Sequence, residues 1–277
     1  MPEGDTILRA AKTLSRALVG QEVTRFESSY AQPSAADDQA PLKGQTVTAV
    51  RAVGKHLLIE FSGGLTLRTH MRMNGSWHIY RPGEAWQKHR RFMRVLLETP
   101  PFVAVGFDVP VVELLSSREL DRHPALNKLG PDVLSADFDE AEAVRRMSAQ
   151  ADRELGEVLL DQKVCAGIGN VYKSEVLFLC GLDPRRAQST ISAMQRQKIY
   201  RTARKLMQAN VTIGGEGPVT YLGMRRTTHS EDPAQRAWVY GRGGELCRKC
   251  GSRIEFFKQG DGARSTYACP TCQPRPG

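Results

Sequence analysis

No stretch of this 277-residue chain approaches the roughly 18 consecutive apolar residues that a membrane span needs. Its start also lacks the basic-then-apolar pattern of a secretory signal. Nothing else points to export, so the oxidising setting in which disulfides persist is not indicated, and the expectation is a cytosolic chain. No internal repeat is visible, which excludes solenoids and other repeat arrays. Acidic residues are scarce in the last third. Residues 185–277 carry 17 Lys/Arg against 6 Asp/Glu, a net of +11, whereas residues 1–184 carry a net of −2.

What is present is a soluble globular composition, 40% hydrophobic and 25% charged, in a 30.7 kDa chain long enough for two domains. The basic surplus at the end suggests that a polyanion docks there. A merely solvated basic surface would look the same, but phosphate contacts would make affinity fall steeply with salt.

Four of the six cysteines are grouped: Cys247 and Cys250, then eighteen residues, then Cys269 and Cys272. Two residues between paired cysteines let both thiolates turn toward one tetrahedral ion, so the spacing predicts one structural Zn2+ per chain. Four thiolates leave no open position for a catalytic water. A pair of disulfides is the rival reading. Between the pairs, Ile254, Phe256 and Tyr267 flank Gly260-Asp261-Gly262, the pattern of a hairpin, decorated by Arg248, Lys249, Arg253, Lys258 and Arg264. Cys165 and Cys180 have no partner at ligand spacing and read as small buried hydrophobes.

The first 130 residues hold short β-rich segments broken by Gly, Pro and Ser, from VTRFESS to FVAVGFDV, which predicts a sandwich or barrel. Residues 30–41 read as an exposed loop. Lys128-Leu-Gly-Pro-Asp132 is the candidate boundary before a helical region from about 136 to 209. There, Gly167-Ile-Gly-Asn170 forms a tight turn at a helix start, with Asn170 as N-cap. Its backbone N–H groups suit an anion, although a plain glycine-rich connection would read alike.

The chain opens MPEGDTILRA. Ile7, Leu8, Ala11, Leu14 and Leu18 recur at helix spacing, Gly20 suits the stop, and Asp5 or Thr6 is the expected N-cap. Removal of Met1 would leave Pro2, a secondary amine, beside the Glu3 carboxylate. In isolation this short, turn-like start reads as an accident of where translation begins ahead of chemistry.

Together the pieces resemble the formamidopyrimidine-DNA glycosylase / endonuclease VIII family, from Pro2 to Gln273. The carriers are Pro2-Glu3-Gly4, Gly54-Lys55-His56, His70-Met-Arg-Met73-Asn-Gly75, Gly167-Ile-Gly-Asn170 and the segment from Gly262 through Arg264 to Cys272. The resemblance implies a multidomain α+β protein: an N-terminal β-sandwich with a leading helix (1–130), a helix–two-turns–helix domain (131–240) and a four-cysteine zinc finger (241–277). DNA would lie between the two halves.

It also implies a bifunctional glycosylase and abasic-site lyase acting on damaged DNA, as a monomer associated with the cytoplasmic nucleoid and without a small-molecule cofactor. Pro2 would attack C1′ of the damaged nucleotide. An α-amine is roughly a quarter neutral near pH 7.4, against about one part in a thousand for lysine. Glu3 would serve as general acid and base, and Lys55 and Asn170 would hold phosphates. Arg264 would grip the same backbone, and Met73 would wedge into the gap left by the rotated nucleotide. His56 and His70 read as structural. Glu175, at a position the family usually keeps acidic, reads as a packing or hydrogen-bonding group. The stretch from Thr212 to Arg236 would cover the flipped base.

Two departures lean toward the endonuclease VIII-like branch and oxidised pyrimidines. Gly4-Asp5-Thr6 replaces the Leu-Pro-Glu usual in the guanine-oxidation branch, and Phe107-Asp-Val-Pro-Val-Val112 lacks that branch's Arg-Phe pair. A preference for 8-oxoguanine and formamidopyrimidines on the same fold, and a non-catalytic damaged-DNA-binding protein, are the alternatives.

Overall fold

The apolar stripe at the start becomes one face of a helix, α1 (Gly4–Leu18), with Ile7, Ala10, Ala11, Leu14 and Leu18 buried. The helix is capped by Glu3, not by Asp5 or Thr6. Glu3 is extended and its carbonyl accepts from Thr6 N at 2.9 Å and Ile7 N at 3.1 Å, so the turn begins two or three residues earlier than expected. The structure is a computed structural model that describes residues 2–212, 225–228 and 230–275. Most of the stretch expected to cover the flipped base therefore lies outside the described residues. The chain divides into two compact units, one built on residues 2–128 and one on residues 129–210 with the described residues after 224.

In the first unit, the strands are β1 (Arg25–Ser28), β2 (Val47–Val53), β3 (His56–Phe61), β4 (Leu65–His70), β5 (Ser76–Tyr80), β6 (Met93–Glu98), β7 (Val103–Phe107) and β8 (Val111–Ser116). They form two antiparallel four-stranded sheets, in the orders β1-β6-β7-β5 and β2-β3-β4-β8. The choice between sandwich and barrel falls to the sandwich. Alternation does the work: Leu57, Ile59 and Phe61 of one sheet join Trp77, Ile79, Val95 and Leu97 of the other in one core, with α1 packed against it. Tyr80, Leu96, Val103, Val105 and Phe107 belong to a separate cluster with Trp86 and Phe92.

Residues 30–41 correct the expected loop, because Ala31–Gln39 is a helix, α2. Pro33 sits in its first turn, where no backbone N–H is needed. The helix is held from outside by its Gln32 amide, which bonds β8 both ways, donating to Leu114 O at 2.8 Å and accepting from Leu114 N at 3.0 Å. This side chain covers part of an edge strand that the segment pattern ending at FVAVGFDV did not reveal. Two short helices follow β8, α3 (Ser117–Asp121) and α4 (Pro124–Asn127).

The second unit begins with α5 (Glu140–Ser148), α6 (Leu155–Leu160), α7 (Asn170–Cys180) and α8 (Ala193–Thr212). Met147, Leu155, Leu159, Tyr172, Val176, Tyr200 and Met207 share its core. Between α6 and α7 the chain makes successive turns knitted by Gln162, whose amide donates to Leu160 O and Ile168 O and accepts from Gly167 N. Gly167 adopts φ +101°, which a side chain would strain. The N-cap of α7 is Gly169, and Asn170 is its first helical residue. That difference matters, because the Asn170 side chain is turned outward from the helix end to another partner, described below. The hairpin β9 (Glu255–Gln259) and β10 (Arg264–Ala268) closes the described chain. No helix among the described residues is long and apolar enough to cross a membrane.

Candidate functional site

The expected residues fall into two sets. Pro2, Glu3, Lys55 and Met73 belong to the first unit; Asn170, Arg264 and the four clustered cysteines belong to the second.

Pro2 and Glu3 are buried at the head of α1, with Glu3 fully inaccessible. The partial positive charge of a helix N-terminus lies behind them. Lys55 occupies the second position of a two-residue turn between β2 and β3, whose flanking Val53 and His56 are paired. Gly54 takes φ +57° at the first position, the requirement of a type II′ turn.

Behind Lys55 lies a histidine cluster. His56 Nδ1 accepts from the Arg68 guanidinium at 3.0 Å, Arg68 pairs with Glu113, and His123 Nε2 stands 3.2 Å from Glu113. His56 and His70 meet edge to face at 4.8 Å. Burial, reinforced by Arg68, holds His56 down to about 3; burial, reinforced by Arg72, holds His70 down to about 4. Both rings are therefore neutral at working pH. The His70 Nδ1 atom accepts the Arg72 backbone N–H at 3.1 Å, anchoring the loop that carries Met73.

That loop closes tightly. Gly75 N donates to Met71 O at 2.9 Å, and a Cβ on Gly75 would lie 2.6 Å from the same carbonyl oxygen. Met73 projects from the loop 66% exposed, unusual for a large apolar side chain. It lines a cleft of about 780 Å³ with Tyr30, Arg72, Asn74, Lys88 and Asp108. Arg72 and Asp108 both adopt positive φ, at 46° and 51°, and Asp108 is held by Lys88 Nζ at 3.0 Å. Sequence reasoning did not find this cleft, since neither left-handed residue is the glycine that would have advertised it.

In the second unit, the Asn170 amide donates to Ser265 O at 2.7 Å, joining the two-turn segment to the residue after Arg264. Arg264 is exposed and lines a pocket of about 290 Å³ with Arg153, Glu157, Asp161, Lys173 and Gln259. Glu175 is fully buried. Its carboxylate accepts from the backbone N–H groups of Trp238, Val239 and Tyr240 at 2.8 to 2.9 Å and from the Thr227 hydroxyl. Three successive amides around one carboxylate make a nest that moors the segment leading into the finger.

The four cysteine sulfurs lie within 4.8 Å of one another and could hold a metal ion. Cys250 and Cys269 sulfurs stand 3.4 Å apart, and those of Cys247 and Cys272 4.0 Å, far beyond a disulfide bond of about 2.05 Å. Tetrahedral thiolates about 2.3 Å from an ion would stand about 3.8 Å apart. Backbone amides already face two of the sulfurs, Lys249 N to Cys247 at 3.4 Å and Cys272 N to Cys269 at 3.5 Å. The donor set thus fits zinc. Burial pushes the Cys165 and Cys180 thiols up, consistent with packed, unreactive groups.

Comparison with known proteins gives this geometry its context. Residues 1–107 match the formamidopyrimidine-DNA glycosylase N-terminal domain and residues 129–221 match the H2TH domain of the same enzyme. Across its whole length the chain is 42% identical to a probable endonuclease 8 2 of Streptomyces coelicolor, covering 97% of that protein. The chain belongs to the formamidopyrimidine-DNA glycosylase / endonuclease VIII family. A second member, the DNA-(apurinic or apyrimidinic site) lyase Nei2 of Mycolicibacterium smegmatis, is 35% identical over 99% of both chains. The Lactococcus lactis Fpg bound to abasic-site DNA shares the fold, with a TM-score of 0.81 over 99% of this chain and 100% of that one at 23% identity. Among these family members, the names of the sequence relatives place the chain nearer the endonuclease VIII branch.

Proposed function

We propose that the chain is a base-excision repair enzyme, a DNA glycosylase and abasic-site lyase whose nucleophile is the Pro2 amine. The observation that carries this reading is Pro2, whose nitrogen becomes a secondary amine once Met1 is removed, buried next to the fully inaccessible Glu3 at the positive end of α1. Full-length relatives named endonuclease 8 2 and DNA-(apurinic or apyrimidinic site) lyase support the reaction class.

In this reaction the Pro2 nitrogen bonds to C1′ of the flipped nucleotide and the glycosidic bond breaks, with its electron pair leaving on the base. Glu3 protonates the sugar ring oxygen as the ring opens. The resulting iminium keeps a positive charge, because a secondary amine has no further proton to lose. It accepts the electrons released when a C2′ proton is removed and the 3′ phosphate departs; a second elimination releases the 5′ phosphate. Water then frees Pro2.

The remaining assignments divide the labour. Residues 1–130 carry the chemistry, with Lys55 on a phosphate beside it and Met73 as the wedge. Residues 131–240 present Asn170, and residues 241–277 form a finger in which Cys247, Cys250, Cys269 and Cys272 hold one structural zinc. Arg264 in that finger grips the backbone. Such contacts position the duplex and carry no sequence information. The substrate class is oxidised pyrimidines. The short Asp108–Pro110 connection offers an aspartate held by Lys88 where the guanine-oxidation branch carries its arginine. The enzyme acts as a monomer in the cytoplasm, on the nucleoid.

Borohydride trapping tests the reading. Duplexes with an abasic site, thymine glycol, dihydrouracil or 8-oxoguanine are incubated with the chain bearing a free N-terminus. A covalent protein–DNA product is expected with the abasic site and the oxidised pyrimidines. Binding without any trapped product would reduce the chain to a damage-binding protein, and faster excision of 8-oxoguanine would reassign the substrate.

A further inference from the structure

A lysine without exposed surface sits on α7. Lys173 is fully buried, and its Nζ donates to Ser265 O at 3.2 Å and to Thr266 Oγ1 at 2.6 Å. Ser265 O is also the acceptor of the Asn170 amide at 2.7 Å. The buried Thr266 hydroxyl bonds in turn to Gln259 Oε1 at 3.0 Å, across the hairpin on β9. One backbone carbonyl thus receives donors from two residues a helical turn apart, and it belongs to the residue immediately after Arg264.

Packing alone does not call for a lysine here, since burying an ammonium is costly and a methionine would fill the volume. What lysine adds is direction. Its acceptors on β10 lie on consecutive residues, so they fix both the height of the strand along α7 and its rotation. Strand side chains alternate between faces, and Arg264 shares a face with Thr266. Holding Thr266 therefore sets the side on which Arg264 emerges. Lys173 and Arg264 accordingly line the same pocket. Ala263, just before Arg264, adopts φ +44°, a conformation costly for a residue with a Cβ and one that the surrounding contacts must hold.

The Asn170 amide nitrogen carries two hydrogens. One goes to Ser265 O, and Asn170 Oδ1 is buried with no hydrogen-bond partner. A carbonyl already secured by Lys173 does not depend on Asn170 alone, so the Asn170 amide can turn its second N–H, or the whole group, to a phosphate without releasing the hairpin.

We infer that Lys173 is a positioning residue that makes Asn170 and Arg264 a single phosphate clamp, by locking β10 to α7 through Ser265 O and Thr266 Oγ1. This rests on the proposed roles of Asn170 and Arg264 in holding DNA.

The test is a double-mutant cycle on the zinc-loaded full chain, using Lys173→Met, Arg264→Ala and the pair. Binding of abasic-analogue duplex is measured across salt concentrations, with single-turnover cleavage at saturating DNA. Lys173→Met is expected to weaken binding about tenfold and to flatten the salt slope by about one phosphate contact, as Arg264→Ala does. The rate of bound complex should stay within about twofold, and the double variant should bind little worse than either single one. Should Lys173→Met fail to fold, Thr266→Val removes one of the lysine's acceptors on β10 and should weaken binding about threefold with the same coupling to Arg264.

Parent-like affinity and salt slope in the folded lysine variant overturn the inference. So does a loss additive with that of Arg264→Ala, or one that appears equally in the bound rate. An Arg264→Ala chain that binds as well as the parent would instead overturn the role of Arg264, and a parent chain that traps no DNA would overturn the reaction.

Discussion

The two units bury their polar groups to different ends. In the first, one apolar cluster holds α1 and both sheets and a second surrounds Tyr80 and Phe107, and buried ionisable groups stand at the head of α1, behind Lys55 and, as His78, beside Tyr80. In the second, the apolar residues also form two clusters, and the buried ionisable groups bridge them. One cluster serves the helices and another, around Phe178, Val239 and Cys269, serves the finger. Asn170, Lys173 and Glu175, all on α7, make hydrogen bonds to the finger or the segment leading into it. Apolar packing accepts small shifts at modest cost, whereas a buried carboxylate or ammonium is satisfied in only one register. Under the proposed function, the first unit thus protects a reaction, and the second fixes the placement of a grip.

The sharpest way to break that comparison is to strike the chemistry while leaving the grip. Blocking the Pro2 amine with an N-terminal tag should abolish borohydride trapping, and Glu3→Gln should lower single-turnover cleavage by roughly 10²- to 10⁴-fold. Binding of abasic-analogue DNA should change little in either. Undiminished cleavage with a blocked amine would remove Pro2 from the mechanism.

The converse is to strike the grip. Cys250→Ser, or a strong chelator acting on the full chain, should release one zinc and abolish tight DNA binding; structural zinc sites of this kind contribute roughly 10–16 kcal/mol in isolated finger peptides. Released metal is read with a chromophoric chelator. Amide exchange in β3, β4 and α1 should remain as slow as in the intact chain. A chain that binds DNA equally well without metal would leave the cysteines without the role assigned to them.

Stability variants separate the two kinds of burial. Leu14→Ala, in the core of the first unit, should cost about 2–5 kcal/mol with a broadly distributed loss of protection there. Glu175→Gln, which leaves the fold's apolar contacts intact, should cost about 1.5–3 kcal/mol. Its loss of protection should be concentrated at Trp238, Val239 and Tyr240 and in the finger. Uniform loss throughout the second unit would show that the carboxylate supports the whole unit and not the mooring of one segment.

Much of this was legible in sequence because the signals were periodic or chemically specific. The stripe from Ile7 to Leu18, the short β-rich segments punctuated by Gly, Pro and Ser, and the Cys-x2-Cys pairs each admit few structures. The misreadings were tertiary in origin. Residues 30–41 carry loop-like composition, but α2 is stabilised by Tyr30 donating to Val109 O at 3.0 Å and by Gln32 on β8, more than 70 positions away. Asp5, Thr6 and Asn170 are all good N-caps by type, yet Glu3 and Gly169 take those positions, because cap preference is weaker than the neighbouring chain's path. Lys173 was passed over because its type predicts exposure. The docked hairpin supplies acceptors that its burial requires.

The smallest expected effect separates the two units by pH. His56 and His78 of the first unit are buried and held down to about 3 and about 4, by desolvation first and then by Arg68 beside His56 and Lys88 beside His78. His70, held down to about 4, joins them. The described residues after 128 contain no histidine. In the unfolded chain these rings titrate near 6.5, so between that value and their folded pKa the unfolded state binds more protons and stability rises with pH. The contribution is complete above about pH 6.5 and declines as pH falls toward 4. From pH 7.5 to 5, a window above most carboxylate titrations, His56 and His78 should each cost the first unit on the order of 1–2 kcal/mol. Amide exchange, corrected for its intrinsic pH dependence, should lose protection in β3 and β5 and keep it in α7. His56→Gln should flatten part of the slope. An equal loss in both units would mean that the pH response does not arise from these buried histidines.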